Sequence, residues 1–139
     1  IDEGSPLGRS RVESYEPVIL AVDGGAFEDT RRPRHFSRRR SSEVIGRGLL
    51  RVLDRRSGRF ADAPDDGALG LALRSAWDVH SVGRLERLGY ATQRQRRLYQ
   101  FRNRHGFTDV ADAAFEELWG SSELSWSEID RISALCRRS

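Results

Sequence analysis

From Ser42 to the end of the chain, apolar residues recur every three to four positions between short polar connections, the pattern of a string of amphipathic helices. Ser42 reads as an N-cap with Glu43 in the first turn, opening a helix whose apolar face is Ile45, Leu49, Val52 and Leu53. Arg47, Arg51 and Arg55, spaced i, i+4, i+8, line up on another face of it, and Ser57-Gly58 ends it. A polar loop over 61–67 leads to a second helix over about 67–80, capped by Asp66, with Leu69, Leu73, Ala76 and Trp77 on one side. A short third helix, 82–88, stops at Gly89. Thr92 caps a fourth that carries Leu98, Phe101 and His105 inward and closes at Gly106. Thr108 caps a fifth, with Val110, Ala114 and Leu118 aligned, and Ser125 with Glu128 forms a capping box for a sixth, along Ile129, Ile132 and Cys136.

Ahead of Ser42 the pattern changes. Residues 1–14 hold Gly4, Pro6 and Gly8 without periodicity and read as an extended tail. An apolar run over 15–22 precedes Asp23-Gly24-Gly25 and 26–30, the pattern of a strand and a hairpin turn. That turn also resembles the phosphate-binding turn of sugar-kinase-like ATPases, but such a fold needs two large domains and further motifs that this chain lacks. The expected fold is therefore mainly α: a compact array of about five to six short helices preceded by an extended arm with one strand or a β-hairpin. As domains, 1–60 reads as a basic docking arm with one helix, and 61–139 as the helical domain.

Composition sharpens this picture. At 139 residues a single domain is expected, and 37% hydrophobic against 32% charged residues suits a thin-cored domain, a long tail, or a subunit that completes its core against a partner. No apolar run is long enough for a membrane-spanning helix. Cys136 is the single cysteine, so no internal disulfide forms and a small secreted scaffold is disfavoured. The chain starts at Ile1 with an acidic segment over 1–6 that is neither a signal nor a transit peptide. Either a leader has been removed, which makes this the mature form of a processed organellar, mitochondrial protein, or the sequence is simply trimmed at its start.

Charge is sorted along the chain. All 24 basic residues are arginine, with no lysine, and the net charge is +3. Residues 1–30 carry −5, 31–60 carry +9 from eleven arginines against Glu43 and Asp54, 61–80 carry −3, 81–107 carry +6 and 108–139 carry −4. The missing lysine is explained first by a GC-rich coding sequence and second by escape from lysine modification, as in a host-targeted effector. The placement of the arginines is a separate matter: acidic and basic elements that pack together neutralise within the fold, a reading that stands level with partner contact for 81–107, whereas the density over 31–60 favours a partner. Arginine presents a planar fork that grips phosphate or carboxylate and stacks on bases.

The residues assigned to an anionic partner are Arg31, Arg32, Arg34, Arg38, Arg39 and Arg40 around Phe36, the stripe Arg47, Arg51 and Arg55, and Arg94, Arg97 and Arg104 on the helix that carries Tyr99. Arg38-Arg39-Arg40-Ser41-Ser42 also resembles a basophilic kinase site, for which Ser42 as a plain cap is the simpler reading.

Catalytic chemistry finds no footing in this pattern. His35, His80 and His105 stand apart, no metal-ligand spacing or nucleotide-binding glycine motif occurs, and no acid reads as isolated in an apolar run where a raised pKa would suit general-acid work. Cys136 sits on the apolar side of the last helix and reads as a buried structural thiol. No catalytic residue, cofactor or metal is expected, and no small-molecule substrate is evident.

One segment carries a family resemblance. Val82-Gly83-Arg84-Leu85-Glu86-Arg87-Leu88-Gly89-Tyr90, followed by two short helices, is similar to the three-helix ubiquitin-associated domain, whose first helix ends in a Met-Gly-Phe/Tyr loop. The resemblance covers under a third of the chain. It departs from the family in a longer stretch after Tyr90 and in Arg96 and Arg97 where apolar residues are usual. It implies ubiquitin binding through Leu88, Gly89 and Tyr90 where these are exposed.

The expected function is thus a non-enzymatic structural subunit of a larger multi-protein or ribonucleoprotein assembly, docked by its Arg-rich arm on anionic surfaces. The alternatives are a free-standing RNA or nucleic-acid binder, and a lysine-free effector or ubiquitin-type adaptor. Other protein subunits are the expected partners, with RNA as a further class.

Overall fold

The structure, a computed structural model, describes residues 42–137 in full, and before them only backbone segments without side chains. The strand and hairpin expected over 15–30 lie outside the fully described residues. Five helices make up the body: α1 (Arg38–Arg56), α2 (Leu71–Arg87), α3 (Arg94–His105), α4 (Asp109–Gly120) and α5 (Trp126–Arg137). A single turn of 3-10 helix, Asp66–Ala68, precedes α2. No strand occurs among residues 42–137.

Helix α2 is the axis of the body and packs against all four other helices. Every residue from Ala76 to Gly83 is buried, so its centre is enclosed on all sides and not along one stripe. Trp77 stacks on Phe60 with ring centroids 4.8 Å apart and meets Trp126 edge-on at 5.7 Å. From the other side α4 contributes Ala111, Ala114, Phe115, Leu118 and Trp119, and α5 contributes Trp126, Ile129, Ile132 and Cys136. Gly83 lets α2 and α4 touch: a Cβ there would lie 2.2 Å from the carbonyl oxygen of Trp119.

The helix ends show which local signals prevail. Gly58, Gly89 and Gly106 all take positive φ where their helices stop, a conformation that costs glycine little. Thr108 accepts from the Ala111 amide at 3.1 Å, and Ser125 and Glu128 form the reciprocal capping box.

Other expectations are corrected. The helices expected over 67–80 and 82–88 are one continuous α2, because nothing at Ser81 breaks the ladder; its hydroxyl donates to the Trp77 carbonyl at 2.9 Å. Asp66 opens only the 3-10 turn, and Gly70 stands at the N-cap of α2. Thr92 bonds Glu86 instead of capping α3. Helix α1 begins at Arg38, which places Ser42 inside it and not at its cap. On α4, Ala114 and Leu118 are buried as expected, but Val110 is exposed and Ala111 is buried in its place.

Candidate binding surface

Helix α1 sits the opposite way round from its apolar pattern. The face of Arg47, Arg51 and Arg55 turns toward the body, while Ile45, Leu49 and Leu53 are 36%, 49% and 60% exposed. Only Val44 and Val52 are buried from its apolar set. The physical reason is a set of carboxylates waiting on the facing elements. Arg51 reaches Asp78 on α2 at 2.6 Å and Asp66 at 3.6 Å, and Arg55 reaches Asp66 at 2.7 Å. Arg47 lies 3.4 Å from Asp78 and 3.8 Å from Glu43. Arg97, from α3, closes the cluster on Glu43 at 2.6 Å and Asp78 at 3.8 Å. Arg51 and Arg55 also lie over the Trp77 ring, 5.0 and 5.2 Å from its centre.

Charge inside this cluster is held by mutual compensation. Burial alone would raise the Asp78 carboxyl, but Arg51, Arg47 and Arg97 around it hold it far below the usual carboxylate range. Burial pushes the Arg47 guanidinium below its ordinary value, Asp78 and Glu43 opposing this and Arg97 and Arg51 adding to it. One turn further along α1, Asp54 is 1% exposed and accepts both terminal nitrogens of Arg84 at 2.7 Å and the Trp77 indole at 2.8 Å. Arg59 approaches it at 3.6 Å.

The arginines assigned from sequence to an anionic partner therefore divide. Arg31, Arg32 and Arg34 lie outside the fully described residues, as do the side chains of Arg38, Arg39 and Arg40 at the start of α1. Arg47, Arg51, Arg55 and Arg97 face the chain's own acids. Arg94 pairs with Glu116 and lies over the Phe115 and Trp119 rings. Arg104 is exposed on the outer face of α3.

That outer face was only half legible. Arg96, Tyr99, Gln100, Asn103 and Arg104 are all exposed and share one side of α3, with exposed Phe107 just past its end. Tyr99 and Phe107, 59% and 64% exposed, touch each other edge-on with centroids 6.1 Å apart. Tyr99 is therefore not core, whereas Phe101 is fully buried and stacks on His105 at 4.0 Å. Gln100, Asn103 and Phe107 escaped the sequence reading, although the helical spacing of 96, 100, 103 and 107 was there to find. Asp78, an acid between Trp77 and Val79 in an apolar run, escaped it too.

Two buried imidazoles and the thiol lie within the core. His80 is fully buried; its Nδ1–H donates to the Leu118 carbonyl at 3.1 Å, while Nε2 meets no hydrogen-bond partner. Burial, with Arg84 beside it, lowers its pKa to about 4. His105 donates from Nδ1 to Phe101 and accepts from the Ser133 hydroxyl at Nε2, and burial lowers its pKa as well. Burial pushes the Cys136 thiol up, away from the thiolate that nucleophilic chemistry uses. Among the described residues no group of three His, Cys, Asp or Glu side chains is placed to hold a metal ion, and no helix is long and apolar enough to cross a membrane. Leu88, Gly89 and Tyr90, the loop similar to that of ubiquitin-associated domains, are exposed. The chain matches no family model, no curated protein and no solved structure.

Proposed function

We propose that this chain is a non-enzymatic structural subunit of a larger multi-protein or ribonucleoprotein assembly, docked through α1 and the arginine-rich arm that leads into it. The observation that carries this reading is the outward stripe of Ile45, Leu49 and Leu53. These side chains recur at i, i+4 and i+8 on one helix face, and a contiguous apolar patch rimmed by polar residues marks an interaction site. The run Arg38-Arg39-Arg40 opens the same helix, so an apolar contact and an anionic contact sit side by side on one element. The internal pairing of Arg47, Arg51 and Arg55 removes these three from the partner-facing set, and the arginines of 31–40 are the ones this reading gives to the anionic contact.

Sedimentation of a native extract tests the reading. The wild-type chain is expected in a heavy fraction, and Leu49→Gln with Leu53→Gln to release it to a light one without loss of fold. A wild-type chain sedimenting at its own 15.8 kDa removes the proposal. A second reading, a ubiquitin-type adaptor, is favoured by the exposure of Leu88 and Tyr90. It predicts chemical-shift changes in labelled ubiquitin that vanish with Leu88→Ala and Tyr90→Ala.

A further inference from the structure

The structure assigns a second, separate contact surface: we infer that the outer face of α3 is a stacking platform for single-stranded nucleic acid, centred on Tyr99 and Phe107. This deepens the assembly reading by naming RNA or DNA as one component, and it rests on different residues.

The sequence from Arg87 to Thr108 holds six arginines and no acid. Four of the six are already engaged. Arg87 donates to the Trp119 and Ser121 carbonyls, Arg94 pairs with Glu116, Arg97 with Glu43, and Arg102 with Asp112 through two bonds of 2.8 and 2.9 Å. Arg96 and Arg104 form no ion pair with the described residues, and they sit on the same side of α3 as the exposed rings. Eight residues of helix separate them, about 12 Å along the axis. That is a span suited to a short run of phosphates.

On the same face as these two cations lie the chemical groups that single-stranded bases use. The edge-on contact of Tyr99 and Phe107 leaves ring surface facing solvent, and Arg102 lies 6.0 Å over Phe107. Gln100 and Asn103 add two carboxamides, each able to donate to and accept from a base edge. Asp109 and Asp112 belong to α4, and the second is occupied by Arg102. An acidic protein would satisfy the two arginines but leave both rings and both carboxamides without a counterpart. A single strand engages all three kinds of group at once.

The test is fluorescence anisotropy of a labelled 12-nucleotide oligouridine RNA with the full chain. Tyr99→Ala and Phe107→Ala are each expected to weaken binding about 5- to 150-fold, as loss of one stacked base does. Arg96→Ala and Arg104→Ala are each expected to reduce the salt slope by about 0.7, which the ring variants leave unchanged. All four side chains are exposed, and an unchanged thermal transition confirms that each variant is folded. Absence of binding, or binding that Tyr99→Ala and Phe107→Ala leave intact, overturns the platform. Loss confined to a variant with Arg38, Arg39 and Arg40 changed to Ala moves the contact to the arm; it overturns the platform but spares the assembly reading. Displacement of the RNA by polyglutamate without sensitivity to Tyr99 makes the partner an acidic protein and overturns it too. A light-sedimenting wild-type chain that still shows ring-dependent RNA binding removes the assembly and keeps the platform.

Discussion

Asp54 is the point at which α1 is tied most firmly to the body, and its removal gives a measurable cost. Its carboxylate receives two bonds from Arg84 and one from the Trp77 indole, all at 2.7 to 2.8 Å, at a side chain 2% exposed. In Asp54→Ala the Arg84 guanidinium, 12% exposed, keeps only a long bond to the His80 carbonyl and a marginal one to Ser81, at 3.3 and 3.4 Å. Breaking a buried pair from one side costs about 3–5 kcal/mol, because the charge left behind is uncompensated. The orphaned Trp77 N–H contributes about 1–3 kcal/mol within that range, not on top of it. A loss of about 4 kcal/mol is the expectation.

For a chain of this length the unfolding entropy gives about 3 °C per kcal/mol, so the midpoint should fall by about 12 °C. Urea titration followed by circular dichroism measures the loss. A double-mutant cycle with Arg84→Ala isolates the pair, with an expected coupling of about 2 kcal/mol or more. A loss below about 1 kcal/mol, or single changes that add within about 0.5 kcal/mol, would refute the assignment of Asp54 as the tie between α1 and α2.

Other consequences follow from the same geometry. Gly83→Ala should destabilise by more than the ~1 kcal/mol that helix propensity returns, since the new Cβ meets the backbone oxygen of Trp119 at 2.2 Å and α2 and α4 must separate; a thermal melt checks it. Stability should fall on acidification through His80. Its folded pKa of about 4 lies below the ordinary 6.5, so the fold favours the neutral ring; the contribution is complete above pH 6.5 and lost toward pH 4, about 3 kcal/mol in all. His105 acts in the same direction, and His80→Phe should lower the slope between pH 6.5 and 4 by up to one proton. Thr108→Ala should cost about 1 kcal/mol in urea titration by leaving the Ala111 amide uncapped. Leu49→Gln with Leu53→Gln should change the urea midpoint little, since these residues lie outward.

The parts of this fold that were legible in the sequence are those decided within a few residues. Thr108, the Ser125–Glu128 box and the three stopping glycines each act on backbone groups in their own turn, so neighbouring residues suffice to read them. Periodicity located α3, α4 and α5 for the same reason, and the burial of Phe101, His105, Ile129, Ile132 and Cys136 followed from it. It failed by one position on α4, where Val110 and Ala111 are both apolar and only the contact with α2 chooses between them.

The orientation of α1 was not legible because it depends on residues far away in the chain. By pattern alone, Ile45, Leu49, Val52 and Leu53 against an arginine stripe reads as apolar inside and charge outside. What reverses it is Asp78, thirty-one residues beyond Arg47, together with Asp66 and the Trp77 face. Three arginines that can each bond a buried carboxylate are drawn in, and the leucines are left on the surface. The same step turns a count of positive charge into a location. Cations met by internal carboxylates no longer attract a partner, and on α3 the arginines outside such pairs are Arg96 and Arg104, beside two exposed rings. An arginine block is thus informative about binding only after its acids have been placed; Glu43 and Asp54 lie inside the basic block itself, whereas Asp66, Asp78, Asp112 and Glu116 lie in segments whose net charge is negative.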